Sequence, residues 1–269
     1  MKKISLIIVT YNNETTIKKC LDSIFLYNDI GNQLEVIVID NQSKDKTTEI
    51  LNDYSEQIIF KIARENKGFG AGNNEGVKLS SGNILFFLNP DTELVEPIFN
   101  RIIEVNKQFS IIGFHLISKN GDNMPSFAPM PERFLYCGFF LQKKYKKLEK
   151  KDLVLRNFYP WGAAMVIKKE DFFNAGLFDE KIFLNFEEPD IIKRIKINKI
   201  CILMNKIIHN ESVSKNTFGE VRMNSFYKES EEYYFTKYFG KLHYKLVILT
   251  NILKIHMKRI ITSKKIKGI

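Results

Sequence analysis

The sequence predicts an α/β fold, a mostly parallel sheet flanked by helices, with a helical and basic extension at its C-terminal end. Three observations predict it. Four strand-length runs, Ile4–Val9, Leu34–Ile39, Ile58–Ile62 and Ile84–Leu88, are apolar almost throughout rather than alternating, the pattern of strands covered on both faces. Between the first two runs, Ile17, Cys20, Leu21, Ile24 and Phe25 recur at helical spacing within Glu14–Tyr27, and a shorter helix, Thr47–Tyr54, fills the next gap. Strand, helix, strand at this spacing implies right-handed crossovers and parallel pairing. Finally, 269 residues with 44% hydrophobic and 27% charged side chains can bury a sizeable core, which excludes disordered and fibrous classes.

The second half reads differently. Ile111–Ile117 is a strand leading into the turn Asn120-Gly121. A long irregular stretch, Met124 to Asn157, contains Pro125, Pro129 and Pro131, and loops of this length are commonly functional. Ala163–Ile167 and Ile200–Met204 are strands, Glu170–Ala175 and the segment from Pro189 are helices, and the chain from about Val221 is helical. This divides the chain into residues 1–220 and a C-terminal extension, 221–269. Cys20, Cys137 and Cys201 form no Cys-x-x-Cys or Cys/His cluster, which excludes a disulfide framework or a structural zinc site and suits a reducing compartment. The apolar run after Met1-Lys2-Lys3 is too short for an export signal.

The net charge is +10, and the segment from Lys241 to Ile269 supplies eight positive charges and no acid. Leu246, Val247, Ile252, Leu253, Ile255, Ile260 and Ile261 are interleaved with them, with no uncharged stretch long enough to span a bilayer. Such a segment either lies on an anionic lipid surface as a basic amphipathic helix or packs on the domain with a solvated lysine face. A second basic run, Lys143-Lys144-Tyr145-Lys146-Lys147, is solvated surface. No groove-reading or aromatic RNA-binding motif accompanies either patch, so nucleic acid is not the expected partner.

Ligands of open parallel sheets bind beyond the carboxyl ends of the strands. There the sequence places Thr10-Tyr11-Asn12-Asn13-Glu14, Asp40-Asn41, Glu65-Asn66-Lys67-Gly68 running on to Asn74, and Asn89-Pro90-Asp91. Each is also ordinary turn chemistry. Together, with Asp40 and Asp91 both just past buried strands, they mark one polar edge. Gly68-Phe69-Gly70-Ala71-Gly72 is not a dinucleotide fingerprint: Asn73 stands where the last glycine is needed, and the segment follows the third strand rather than the first. Its backbone is expected to approach a nucleotide closely, with Lys67 nearby.

The ordered landmarks Ser5-Leu6-Ile7-Ile8-Val9-Thr10-Tyr11-Asn12, Val38-Ile39-Asp40-Asn41, Asn66-Lys67-Gly68-Phe69-Gly70 with Asn74-Glu75-Gly76, and Leu88-Asn89-Pro90-Asp91 resemble those of family 2 glycosyltransferases. The similarity continues through Trp161-Gly162-Ala163-Ala164-Met165, Gly176-Leu177-Phe178-Asp179-Glu180 and Phe183-Leu184-Asn185-Phe186-Glu187-Glu188-Pro189-Asp190, and resembles the rhamnosyltransferase-like branch. The resemblance implies a GT-A fold and an inverting transfer of sugar from a nucleoside diphosphate donor, dTDP-rhamnose or a UDP-hexose. It implies that Thr10, Tyr11, Asn12, Glu14, Asp40, Asn41, Lys67, Gly68, Asn74, Asn89 and Trp161 hold the nucleotide sugar. Asp91 and His209 are implied ligands of Mg²⁺ or Mn²⁺, with uncharged Asn89 where the family's metal motif has its first Asp. Glu188 stands at the catalytic base where Asp is usual, with Glu187 as its substitute. Pro189 suits the first position of a helix, which puts Glu188 at the N-cap, and Asp190 pairs with Arg194 one turn on. By the same analogy the acceptor is a polyprenyl-diphosphate-linked bacterial surface glycan, in capsule or lipopolysaccharide synthesis, and the enzyme is cytoplasmic, held to the inner face of the membrane by its basic tail. The rivals are a sugar nucleotidyltransferase of related fold, which lacks support because no glycine- and arginine-rich loop follows the first strand, and a non-catalytic nucleotide-sugar-binding protein.

Overall fold

A computed structural model describes residues 3–131, 151–197, 199–210, 219–246 and 248. Most of the basic tail and the run 143–147 lie outside the described residues. The elements in order are β1 (Ile4–Thr10), α1 (Ile17–Leu26), β2 (Leu34–Asp40), α2 (Thr47–Asn52), β3 (Ile59–Ile62), α3 (Phe69–Leu79), β4 (Ile84–Leu88), β5 (Thr92–Leu94), α4 (Phe99–Asn106), β6 (Ile111–Ile117), β7 (Phe127–Pro129), β8 (Leu153–Arg156), β9 (Phe158–Pro160), β10 (Ala164–Lys168), α5 (Lys169–Asn174), α6 (Glu187–Ile195), β11 (Lys199–His209) and α7 (Glu220–Phe239).

One sheet carries the fold in the order β3-β2-β1-β4-β10-β6-β11-β5, with β8 beside the first half of β11. The N-terminal strands β3, β2, β1 and β4 are parallel as expected. Beyond β4 the sheet is mixed: β10 runs antiparallel to both neighbours, and β5 and β8 run antiparallel to β11, which itself pairs in parallel with β6. The fully apolar runs have a plain cause. Ile4, Leu6 and Ile8 with Val36 and Val38 pack beneath α1 and α4, while Ile7, Val9, Ile37 and Ile39 pack beneath α3. Each strand is thus covered on both faces. The exception is β3, an edge strand whose Ile59 and Ile62 are exposed, contrary to the buried reading of its sequence.

Inside the apolar run of β1, Ser5 is pinned. Ser5 donates to Glu35 at 2.5 Å and accepts from the Gly82 amide, and Ser81 and Gly82 also donate to Glu35. Burial pushes the Glu35 carboxyl up, but these hydrogen bonds outweigh it and hold its pKa below the usual value.

Four other expectations change. The glycine-rich segment after β3 is not a loop but helix α3, and its glycines serve packing: a Cβ at Gly72 would meet Val9 at 2.7 Å, and one at Gly76 would meet Ile7 at 2.5 Å. The stretch from Met124 to Asn157 contains β7 and β8, and β7 pairs with β9. Helix α6 starts at Glu187, so Pro189 is its third residue, not its first, and Glu188 is not the N-cap. Proline is tolerated there because the first four amides of a helix have no partner within it. Strand β11 runs on to His209 through a bulge between Leu203 and Lys206, so His209 ends the strand instead of following it. The Asn120-Gly121 turn is as expected, with the Gly121 amide donating to the Ser118 carbonyl at 2.9 Å.

Candidate active site

The carboxyl ends of β1, β2 and β4 converge on a cleft of about 620 Å³ lined by Thr10, Tyr11, Asn13, Asn41, Asn66, Gly68, Asn89 and Asp91, with Phe183 and Leu184 opposite. It opens into a second hollow of about 930 Å³. The two share Phe69, Asn89, Asp91 and Leu184, and the hollow adds Trp161, Gly162, Glu187, Glu188, His209 and, from α7, Met223.

The first-strand loop is rigidly laced. Asn13 accepts from Thr10 Oγ1 at 3.0 Å and the Tyr11 amide at 2.9 Å. Asn12, at φ 55°, accepts from the Lys44 amide at 2.7 Å, and its own amide donates to Ser43 at 2.8 Å. Glu14 accepts from the Lys46 amide at 2.9 Å and lines neither hollow. Asp40 is fully buried and accepts from the Ser43 hydroxyl at 2.5 Å and the Ser43 amide at 2.9 Å. Burial raises its carboxyl pKa, and these hydrogen bonds only partly restrain it. Its neighbour Asn41 reaches the cleft and donates to the Gly68 carbonyl at 3.1 Å. Gly68 has φ 92°, and a Cβ there would overlap the Phe183 carbonyl, while the Phe69 amide donates to that same carbonyl at 3.0 Å. The close approach at this glycine is therefore to the 183–186 segment. Asn74 is occupied elsewhere: it bridges the Phe178 backbone and Glu180 at 3.0 Å and lines neither hollow. Lys67 pairs with Glu65 at 3.1 Å on the outer surface.

Asp91 sits between β4 and β5, and the pairing of Thr92 with His209 across β5 and β11 brings it to that histidine. His209 Nε2 lies 3.5 Å from Asp91 Oδ1. Both residues are buried, at 7% and 5% exposure, and both Asp91 Oδ1 and His209 Nδ1 lack a hydrogen-bond partner. An orphaned buried carboxylate oxygen costs roughly 1–3 kcal/mol or more unless something else satisfies it. Among the described residues no group of three or more His, Cys, Asp or Glu converges. The pair therefore fits a divalent cation that takes its other oxygens from water and a diphosphate, as Mg²⁺ commonly does.

Glu187 and Glu188 open α6. Glu187 is 2% exposed, with Oε1 unpartnered. Burial and the adjacent Glu188 raise its pKa well above the ordinary range, with Asp190 adding to the effect. Glu188 is half-buried; burial raises it to about 7 against hydrogen bonds from its own amide and that of Gly162. Its Oε1 lies so near Gly162 that any Cβ there would overlap it. The two residues before the pair, Asn185 and Phe186, have φ of 69° and 72°, uncommon for side-chain-bearing residues. Asp190 turns away from the hollow. Arg194 donates to its Oδ2 from Nε at 2.9 Å and Nη2 at 2.7 Å, and Lys237 and Tyr238 donate to its Oδ1 at 2.5 Å and 2.8 Å. Trp161 both lines the hollow and packs against the core.

Of the residues singled out in the sequence, the structure thus gathers Thr10, Tyr11, Asn41, Gly68, Asn89, Trp161, Asp91, His209, Glu187 and Glu188. Sequence reasoning missed Asn13 and Asn66, which carry the same strand-end signal as their assigned neighbours, and Met223, for which the sequence holds no signal.

A cleft at the strand ends of a sheet whose parallel half is continued by antiparallel strands fits a GT-A-type α/β fold. Residues 5–173 match the family described as Glycosyl transferase family 2, and the chain belongs to it. Among curated relatives, it is 25% identical over 228 residues to the low-salt glycan biosynthesis hexosyltransferase Agl10 of Haloferax volcanii, covering 80% of this chain and 69% of that one. It is 26% identical to a GalNAc(5)-diNAcBac-PP-undecaprenol beta-1,3-glucosyltransferase of Campylobacter jejuni, covering 69% of this chain and 57% of that one. The chain spans only 18% of another relative, the glycosyltransferase GlyA of Streptococcus pneumoniae. Among solved structures, S. aureus TarS 1–349 in complex with UDP superposes with a TM-score of 0.58 at 17% identity, over 90% of this chain and 68% of that one. GalNAc-T7 with UDP, GalNAc and Mn²⁺ gives 0.59 at 16% identity, over 78% and 44%. None of these relatives supports the rhamnosyltransferase-like branch that the motifs resemble; the sugars their names specify are hexoses and N-acetylhexosamines.

Proposed function

We propose that the protein transfers a sugar, with inversion, from a nucleoside diphosphate donor to a hydroxyl of a lipid-linked bacterial surface glycan. The observation that carries this reading is the juxtaposition, in one hollow, of the Asp91–His209 pair and a carboxylate, Glu188, that titrates near neutrality. Thr10, Tyr11 and Asn41 hold the nucleotide, with buried Asp40 fixing the turn at Ser43 behind them, and the lacing of Asn12 and Asn13 fixes that loop before the donor arrives. Asp91 and His209 hold Mg²⁺ or Mn²⁺, which when bound neutralises charge on the departing diphosphate. Glu188 takes the acceptor hydroxyl proton as the acceptor oxygen bonds to the anomeric carbon and the bond to the diphosphate oxygen breaks. Glu187, whose pKa burial and the adjacent Glu188 raise well above the ordinary range, lies beside the base. Trp161 offers an apolar face to a sugar ring.

The donor we favour is a UDP-hexose or UDP-N-acetylhexosamine, in line with the hexosyl, glucosyl and N-acetylglucosaminyl transferases among the relatives. A polyprenyl-diphosphate-linked acceptor agrees with the undecaprenol-linked acceptor named for the Campylobacter relative. Among the described residues no helix is long and apolar enough to cross a membrane. The basic tail is proposed to hold the enzyme at the inner membrane face, where such acceptors are elongated. The test is a panel of UDP-glucose, UDP-galactose, UDP-GlcNAc, UDP-GalNAc and dTDP-rhamnose, each with Mn²⁺ or Mg²⁺. One member should raise the melting temperature and be slowly hydrolysed, with hydrolysis lost in Glu188→Gln while binding stays. No stabilisation by any of them would refute the reading.

A further inference from the structure

We propose that helix α7, through Ser230 and Lys237, is the positioning element for the catalytic carboxylates, a role that rests on the reading of Glu188 as base. The stretch from Phe183 to Asp190 contains the two left-handed residues Asn185 and Phe186; Asn adopts that conformation readily, but the aromatic Phe186 does not. Something outside the segment must hold that conformation, and α7 touches it from end to end. Phe226 lies 4.4 Å from Phe183, ring centre to ring centre. The Ser230 hydroxyl donates to the Leu184 carbonyl at 2.8 Å and is buried at 3% exposure. Phe186 packs on Tyr227 and Tyr234, each at 5.4 Å. Lys237 donates to buried Asp190 at 2.5 Å and to Asp179 at 2.8 Å.

Positions 226, 230, 234 and 237 recur at the spacing of one helix face. That face therefore meets the residues on both sides of Glu187 and Glu188, and Met223, one turn before Phe226, also lines the hollow. The Lys237 ammonium also ties α6 to the Asp179 turn. That turn is in turn fixed to α3 by Asn74, whose amide bridges Phe178 and Glu180 at 3.0 Å. Helix α3 begins at Gly68, whose backbone abuts Phe183 at the cleft. The donor side and the base side are thus set at a fixed separation by one chain of contacts. The positioning helix also lies outside residues 5–173, the portion shared with the family.

The experiment compares the full-length wild type with Ser230→Ala, Lys237→Met and Lys237→Arg by peptide-resolved hydrogen exchange and by donor hydrolysis with the panel member that wild type turns over. Lys237→Met should speed exchange across residues 183–190 while leaving β1–β4 protected, and Ser230→Ala should do so to a lesser degree. Hydrolysis kcat should fall about tenfold or more for Lys237→Met and a few-fold for Ser230→Ala, with donor KM within about threefold, because misplacement of a reacting group costs turnover rather than binding. Lys237→Arg, which keeps two donors for the two carboxylates, should restore both readouts. Unchanged exchange at 183–190, or faster exchange everywhere, would overturn the proposal. So would a loss of kcat that Arg does not rescue. If wild type turns over no donor, the enzymatic reading falls, while the exchange result still decides whether α7 holds the segment.

Discussion

Gly162→Ala tests the position of Glu188 without replacing that residue. Gly162 has no positive φ, so alanine is tolerated by the backbone. The obstacle is local: its Cβ would overlap Glu188 Oε1 and lie 2.8 Å from Cδ, inside the 3.0 Å that real Cβ atoms keep. The clashing atoms are the end of a side chain facing an open hollow, so the carboxylate withdraws by about 1 Å while the fold stands. A displacement of that size costs on the order of 100-fold in turnover. Withdrawal also removes the Gly162 amide hydrogen bond, one of the contacts that holds the Glu188 pKa down to about 7. The acid limb of kcat should therefore move to higher pH. The assay is steady-state donor turnover across the neutral range, paired with a thermal melt that should shift by no more than about 1 kcal/mol, as expected where no core packing is lost. Turnover within a few-fold of wild type, with an unmoved acid limb, would show that Glu188 is not the base.

The other expectations concern charge and packing. Because burial and the adjacent Glu188 raise the pKa of Glu187, Glu187→Gln should leave the acid limb of Glu188 nearly unchanged; a large downward shift would show that Glu187 carries charge in the working enzyme. The same variant should gain stability over wild type as pH rises above the ordinary glutamate value of 4.5, since a carboxyl with a raised folded-state pKa loses stability as pH climbs, readable as a growing difference in melting temperature. Glu35→Ala should cost about 3 kcal/mol by denaturant unfolding at neutral pH. Its depressed pKa places that contribution above pH 4.5, and it should fade as pH falls through the lower folded-state value. Asp91→Ala should abolish the stabilisation that Mn²⁺ adds to a nucleotide sugar, measured by calorimetry, and leave the metal-free melt unchanged or higher, since it removes an orphaned buried carboxylate.

What the sequence made legible follows from where the forces are local. The strands β1, β2 and β4 announce themselves because both faces are covered, leaving only Ser5 and Glu35, which bond to each other, to break the apolar runs before the strand ends. The carboxyl-edge residues are equally legible, since Asn, Asp and Gly after a buried strand do turn chemistry whether or not they also bind. That double use is why Asn74 and Lys67 were drawn into the predicted site. The structure gives one to the Phe178 turn and the other to an exterior ion pair. Helix α3 was hidden because glycines, poor helix formers, are there required by the approach of Val9, Ile7 and the Phe183 carbonyl. The extension of β11 to His209 was hidden by a bulge that interrupts its apolar pattern.

The helical start at Glu187 was hidden for a deeper reason. Asn185 accepts a left-handed conformation readily, but nothing local favours one at Phe186, and the rings packed on it come from a helix more than thirty residues further along. A carboxylate pair at a helix N-terminus is favoured by the helix dipole and disfavoured by burial. The unusual backbone before it decides which of these is felt. Glu187, 2% exposed, and Glu188, half-buried against Gly162, are chemically equal side chains that differ by the surroundings in which the backbone sets them.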